Sequence, residues 1–539
     1  MRSIHPITIS VLSLILILCV ACAQAVPATP AQPAPNINAA ASSADSPTQS
    51  NASLPSPATS TPSEMAAAPT RAKKNTPASQ KTRQAKGTST PAAAAESPKP
   101  ASDPSFNVIL GRPTGTSITA SLYSTTARQV SFTVTKLTDS SFIETKTVDL
   151  LAQAPQNIDF TNLQPDGEYT YIAKSDDQVV GNGTFHTQRP TGSTFTFTID
   201  ADPHFGDPNF NGDLYNITLS NALLDQPDFH FDLGDTFMTE KLKSPSFSDA
   251  EASFSGMRPY LGVIGASAPL FLVNGNHEGE LGWLIGKDPN LPLWCTQLRQ
   301  EYYPNPLPNT FYSGASTPDP TLGSPRDGYY AFTWGEALFV VLDPFWYTTN
   351  KPQPTSLDNN WNWTLGKAQY DWLVATLTGS KSSSKFIFIH NLVGGNNTDG
   401  RGGVEAAPYF EWGGMNADGT DGFAQHRPGW GKPIHQILIE NHVSAVFHGH
   451  DHVFVKQELD GIIYQEVPQP DMAQYNNTSL AGDYGYLSGT VFGSSGHLRV
   501  TVAPSGVTVA YVQAYLAKDE KSNQTNQQVK VQYSIPTQR

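Results

Sequence analysis

Five times between residues 195 and 452, a short apolar run ends abruptly in residues able to hold a metal ion. Phe195 to Ile199 runs into Asp200-Ala201-Asp202-Pro203-His204, and Phe229 to Leu233 into Gly234-Asp235. Leu270 to Val273 runs into Asn274-Gly275-Asn276-His277-Glu278, Phe386 to Ile389 into His390, and Val443 to Phe447 into His448-Gly449-His450-Asp451-His452. Runs of this length, separated by helix-like segments such as 366–378 and 432–441, read as buried strands of an α/β fold. Such a chain has to bring five strand ends to one rim.

The spacing within the motifs carries chemistry. Asp202 and His204 are two apart, so on extended backbone they face the same way and can chelate one ion; His450 and His452 repeat that geometry. Carboxylate, imidazole and amide donors together suit Mn, Fe or Zn and disfavour an all-oxygen calcium cage or a thiolate site. Gly234, Gly275 and Gly449 let the backbone turn sharply beside the ligands. Each fragment alone is weak, because Asp-x-His and Gly-Asp are common turns. The full set, each member following a strand, gives the structural context that such a motif needs.

Taken together, Asp202-x-His204, Gly234-Asp235, Gly275-Asn276-His277-Glu278, His390 and Gly449-His450-x-His452 resemble, in order, the motifs of calcineurin-like metallophosphoesterases. The resemblance covers residues 195 to 515 and implies a four-layer α/β/β/α sandwich with two divalent or trivalent ions (Fe, Mn or Zn) at the C-terminal strand edge. It implies that Asp202, His204 and His452 bind the first ion, that Asn276, His390 and His450 bind the second, and that Asp235 bridges both. His277 would contact phosphate or protonate the leaving oxygen, and a metal-bridging hydroxide would attack phosphorus directly, with no covalent phospho-enzyme.

The chain also departs from its relatives. Purple acid phosphatases have a Tyr three residues after the bridging Asp, and phosphoprotein phosphatases an Asp followed by an Arg; here these positions are Met238 and Thr239. The first departure predicts no tyrosinate colour, and the second means that His277 needs another partner. Asp200 and Asp232 are expected behind the ligands or in strand pairing, and His448 as an interior histidine. The long Gly-rich stretch 394–432 reads as a rim or lid. In it Arg401, Arg427 and His426 are candidates to hold a second anionic group, and Trp412 and Trp430 to stack on a ring, the alternative being a lid packed by its own aromatics. Residues 280–328 form a second insertion with no evident role.

The chain preceding this body is of a different kind. Arg2 and His5, the apolar run Ile7 to Val20 and the small residues Ala21 to Ala25 have the three parts of a secretory signal over 1–25. Cys22 weakly resembles a lipoprotein acceptor, and an uncleaved anchor is the alternative. Residues 26–105, rich in Pro, Ala, Ser and Thr, bury too little apolar surface to offset chain entropy and read as a disordered stalk. Export to the periplasm, cell surface or exterior, with N-terminal association to a membrane or wall, is the expectation. Cys19 and Cys22 fall in the signal, so Cys295 is the one cysteine left for the folded part. It reads as a small buried hydrophobe.

Residues 106–190 alternate apolar and polar with period two and no helical stretch, which reads as an all-β sandwich. Leu163-Gln164-Pro165-Asp166-Gly167-Glu168-Tyr169 resembles the tyrosine corner of fibronectin type III and related domains, which implies a bond from Tyr169 back to the chain near Leu163. The catalytic body then spans 191–517, and 518–539 reads as a flexible tail. The net charge of −14, with the more basic share in the stalk, disfavours general nucleic-acid binding. The expected function is an exported dinuclear phosphoesterase acting on small phosphomonoesters or phosphodiesters. The alternatives are a surface adhesion or binding protein using the fold as a scaffold, and an exported nuclease of the same fold.

Overall fold

The computed structural model describes residues 103–353 and 355–537. The secretory segment, Cys22 and nearly all of the stalk lie outside the described residues. No helix among the described residues is long and apolar enough to cross a membrane.

An all-β unit comes first. Strands Phe106–Gly111, Ile118–Ser124 and Gln156–Phe160 form one antiparallel sheet, and Asp139–Leu150, Arg128–Lys136, Glu168–Ser175 and Gln178–His186 the other. Alternation does the folding: Val130, Phe132 and Val134 point inward against Ile118, Ala120, Leu122, Phe160, Tyr169 and Tyr171. The backbone N–H of Gln164 donates to the Tyr169 Oη at 2.7 Å, one residue beyond Leu163.

The remaining chain builds two facing sheets. One has six strands, with Leu270–Leu272, Phe229–Asp232 and Phe195–Asp200 parallel to one another, then His497–Ala503, Gly506–Gln513 and Gln528–Ile535 added antiparallel. The other has eight, centred on the parallel run Ala337–Val341, Ser384–Phe388, Ala445–His448 and Ile462–Glu466. Phenylalanines at alternate positions face inward from both: Phe197, Phe229, Phe231 and Phe271 meet Phe332, Phe339, Phe386, Phe388 and Phe447. Phe231 and Phe388 stack with ring centroids 4.0 Å apart. Aromatic pairs of this kind contribute roughly 0.5–1.5 kcal/mol beyond their buried area. Helices Gly212–Leu224 and Phe247–Gly265 cover the outside of the first sheet, and Gly366–Gly379 and Ile434–Glu440 that of the second. The result is an α/β/β/α sandwich preceded by a small β sandwich.

The flexible tail expected from Lys518 onward is corrected. Gln528–Ile535 is an edge strand on Gly506–Gln513, with Ile535 3% exposed. Val529, Val531, Tyr533 and Ile535 alternate, but the polar residues between them masked the pattern by composition.

The insertion 280–328 also gains a role: it joins the two units. Arg258, fully buried in helix Phe247–Gly265, donates to Asn107 Oδ1 (2.9 Å) and Ser121 O (3.0 Å) of the β unit and to Tyr302 O of the insertion. Its guanidinium lies over the Tyr123 and Tyr303 rings. Deeper in, Glu280 accepts from Arg299, Arg326 and Thr296 in a cluster shut off from water. Burial raises the Glu280 carboxyl, but the two guanidinium charges outweigh it and bring it from 4.5 down to about 2. A folded value below the unfolded one contributes stability above pH ~4.5 that is lost as the pH falls towards ~2. Urea midpoints measured across that window are therefore expected to fall, and a midpoint flat from pH 5 to 2 would remove Glu280 as a source of acid lability.

Candidate metal centre

The C-terminal ends of five parallel or near-parallel strands converge, and the chain turns sharply at each. Asp202, His204, Asp235, His450 and His452 all have left-handed backbone, with φ of 65°, 54°, 52°, 81° and 61°. Such a conformation costs a non-glycine residue about 1–3 kcal/mol, which the surrounding fold must offset. Glycine is required where two turns touch. A Cβ on Gly234, at φ 96°, would lie 2.4 Å from the Gly275 N, and one on Gly449 would lie 2.7 Å from Asp202 Oδ2.

Two donor sets result, and they share a carboxylate. In the first, Asp202 Oδ1 lies 3.9 Å from His204 Nε2 and 3.5 Å from His452 Nε2. In the second, His390 Nε2 lies 3.2 Å from both Asn276 Oδ1 and His450 Nδ1. Asp235 Oδ2 stands between them, 3.3 Å from His204 Nε2 and 3.3 Å from His390 Nε2. All seven residues that the motifs single out as metal ligands are thus brought together, and His277 stands beside them, with Nε2 3.7 Å from Asp235 Oδ2.

The donor set fits cations. Asp202 Oδ1 is fully buried and has no hydrogen-bond partner, while Oδ2 accepts from the His450 N–H at 2.9 Å. An uncompensated buried carboxylate oxygen is costly unless a charge faces it. The field has the right sign: burial lowers the His390 imidazole, yet Asp235 and Asp202 carry it up to about 10. Imidazole orientation is fixed from behind, as ligating histidines require. His390 Nδ1–H donates to Leu233 O at 3.0 Å and turns Nε2 inward. His450 does the reverse, donating from Nε2 to Asp399 O at 2.9 Å and turning Nδ1 inward.

Behind the ligands, Asp232 Oδ1 accepts from Gly234 N and Thr236 Oγ1 and fastens the Gly234-Asp235 turn. Asp200 meets His230 Nε2 at 3.1 Å. Glu278 binds the Asp235, Thr236 and Gly275 N–H groups and ties two ligand loops together. His448 is buried, and burial first, then the His390 charge, push its imidazole down to about 3, so it stays neutral.

The substrate candidates of 394–432 separate. Arg401 lies against a ligand residue: it donates to His450 O and to Asp451 Oδ1 (3.0 Å), and its guanidinium stacks 4.1 Å over the Tyr484 ring. Arg427 and Trp412 are corrected, while His426 and Trp430 are half-buried, each with one ring face packed. Arg427 is consumed by an ion pair with Glu411 and by the carbonyls of Trp361, Trp363 and His426. His426 stacks on Trp361, with centroids 4.3 Å apart, and Trp430 packs on Tyr370. Trp412 is 0% exposed and donates to Tyr464 Oη at 2.9 Å, leaving no face for a ligand. The aromatics of this stretch mostly pack it against the body, because burying an indole in a core is worth more than exposing it at a rim. Trp412→Phe is expected to cost about 2 kcal/mol, from lost volume and one lost hydrogen bond, and to leave the KM of any ester unchanged. Parallel urea melts and steady-state kinetics test both halves.

One contact was not legible in the motifs. Glu240 Oε2 lies 3.1 Å from His277 Nδ1 and fills the gap left by Met238. Its only sequence signal is a carboxylate five residues after Asp235, indistinguishable from a surface residue. The Leu233 and Asp399 carbonyls leave no sequence signal at all.

Facing sheets between helices, with carboxylate, imidazole and amide donors at the strand ends, define a metallophosphoesterase-like fold. Solved structures agree. PhoD matches with a TM-score of 0.60 at 15% identity, over 80% of this chain and 90% of that one. The purple acid phosphatase PPD1 from yellow lupin (Lupinus luteus) seeds matches with a TM-score of 0.50 at 14% identity, over 80% of this chain and 74% of that one. No protein-family model matches the sequence, and the comparison with curated proteins finds no match.

Proposed function

We propose that this protein is an exported, metal-dependent phosphoesterase that hydrolyses small phosphomonoesters or phosphodiesters at a two-ion centre. The observation that carries the reading is Asp235 Oδ2, equidistant from one imidazole of each donor set. A carboxylate so placed suits two cations close together, and the fold shared with PhoD and a purple acid phosphatase supports the class. Asp202, His204 and His452 would hold one ion and Asn276, His390 and His450 the other, with Asp235 between them. Bound ions supply Lewis-acid chemistry, drawing charge from phosphoryl oxygens and acidifying water.

The chain's own residues do the rest. Hydrolysis joins a water oxygen to phosphorus and breaks the bond to the leaving oxygen, which departs with the electron pair and needs a proton. His277 Nε2 faces the donor sets and is the group placed to give that proton, a role that typically contributes 10² to 10⁴-fold. Arg401, held rigid by Asp451 and Tyr484, would put positive charge at the rim, where a phosphate or second anionic group approaches. Residues 1–25 have the form of an export signal, which supports action outside the cytoplasm.

The test is release of nitrophenol from mono- and bis-nitrophenyl phosphate after chelation and after Mn, Zn or Fe is restored. Metal-dependent turnover is expected, and the ratio of the two rates separates monoesterase from diesterase. A protein that binds no metal and turns over neither ester contradicts the reading.

A further inference from the structure

We propose that Glu240 is the positioning residue for His277 and adapts the site to esters of alkyl alcohols, whose leaving oxygens cannot depart without a proton. The inference rests on the phosphoesterase reading. It starts from geometry: Glu240 Oε2 lies 3.1 Å from His277 Nδ1, while His277 Nε2 points the other way, 3.7 Å from Asp235 Oδ2. A carboxylate on Nδ1 holds that nitrogen protonated and fixes the ring plane, so Nε2 is the nitrogen left to exchange a proton with a ligand.

Glu240 is strapped in place. Its own N–H donates to His277 O at 3.1 Å, and the neighbouring Thr239 Oγ1 donates to the His277 and Glu278 carbonyls. The short turn Thr239–Lys241 is thus bound to the His277 loop at backbone and side chain alike. Lys241 reaches the same carboxylate oxygen at 3.0 Å, and its own side chain is 57% exposed. Met238, at the position where phosphoprotein phosphatases carry an Asp, is buried and offers no carboxylate. The acceptor comes instead from two residues further along the chain.

The chemical consequence concerns the leaving group. Nitrophenolate is a weak base and departs unaided, whereas an alkoxide is a strong base that must take a proton as the bond to phosphorus breaks. A device that orients His277 therefore matters for alkyl esters and little for nitrophenyl esters.

The test uses the full chain loaded with Zn. Turnover of glycerol phosphate is compared with that of nitrophenyl phosphate for the wild type, Glu240→Ala, Glu240→Gln and Glu240→Asp. For Ala and Gln the alkyl-to-aryl ratio of kcat is expected to fall about 10 to 100-fold, a share of the usual general-acid contribution, with KM little changed. Glu240→Asp is expected to recover part of the loss. A second readout is independent of turnover: the ¹⁵N resonances of His277, identified by their disappearance in His277→Asn, are expected to show Nδ1 keeping its proton in the wild type, with Nε2 the nitrogen that gains and loses one, and both nitrogens sharing the proton in Glu240→Ala. Equal losses on both esters, or a His277 signal unmoved by Glu240→Ala, overturns the proposal. Should the wild type turn over neither ester, the phosphoesterase reading fails instead, and the nitrogen spectrum still decides the Glu240–His277 contact.

Discussion

Asp235→Asn is expected to lower metal-dependent ester turnover by at least ~10³-fold, equivalent to ~4 kcal/mol, within the several kcal/mol attributed to metal-ion catalysis. The side chain keeps its shape, and Oδ1 can still accept from the His277 N–H at 2.8 Å. What changes is the other atom. An oxygen 3.3 Å from both His204 Nε2 and His390 Nε2 becomes an amide nitrogen that offers protons where cations should sit. The charge that both donor sets share is removed at the same time. Metal content by atomic absorption is expected to fall together with turnover, while the melting curve stays cooperative. Undiminished turnover in a well-folded Asp235→Asn protein would remove the two-ion centre from the proposal.

The second large effect is on stability. Glu280→Ala is expected to cost about 3–5 kcal/mol, because it strips the shared carboxylate from two guanidinium groups that cannot reach water. Arg299 and Arg326 are 1% and 2% exposed, and Arg326 lies 3.7 Å over the Trp346 ring. Asp327 and Asp343 remain as partners, which keeps the loss within that range. Glu280→Gln keeps acceptor shape and is expected to lose less. Urea unfolding at neutral pH measures both variants. Costs under about 1 kcal/mol would make the cluster equivalent to an exposed ion pair. The wild-type curve should fall towards the Glu280→Ala curve as the pH drops from ~4.5 to ~2, since protonating Glu280 removes the same charge.

Much of the site was legible because chelation imposes local spacing. Asp202 and His204 announce themselves at i, i+2 after an apolar run that reads as a strand, whereas His450 and His452 share that spacing and yet fall to different donor sets. The order of the motifs then carried the fold. Legibility stopped where contacts depend on distant chain. Glu240 and His277 are 37 residues apart and meet through a turn whose composition is that of any surface. Trp412 and Arg427 looked available on a Gly-rich stretch, yet Tyr464 and Glu411 had already claimed them. The C-terminal strand was missed because Lys530, Gln532 and Ser534 between its apolar residues, after a Gln- and Asn-rich approach, resemble a tail, and an edge strand needs only a partner's backbone to form.

By itself the sequence determined the strand ends, the identity of the donors, the β unit before them and the layered α/β body, because each follows from periodicities and motifs within a few residues; the division of the donors into two sets was implied only by the family resemblance. Tertiary structure alone decided which nitrogen of each histidine faces inward, which carboxylate steadies His277, and which aromatics serve packing. Those outcomes depend on carbonyls, carboxylates and rings brought from far along the chain. Burial then makes each of them obligatory, since a polar group without its partner in the interior costs more than the fold can spare.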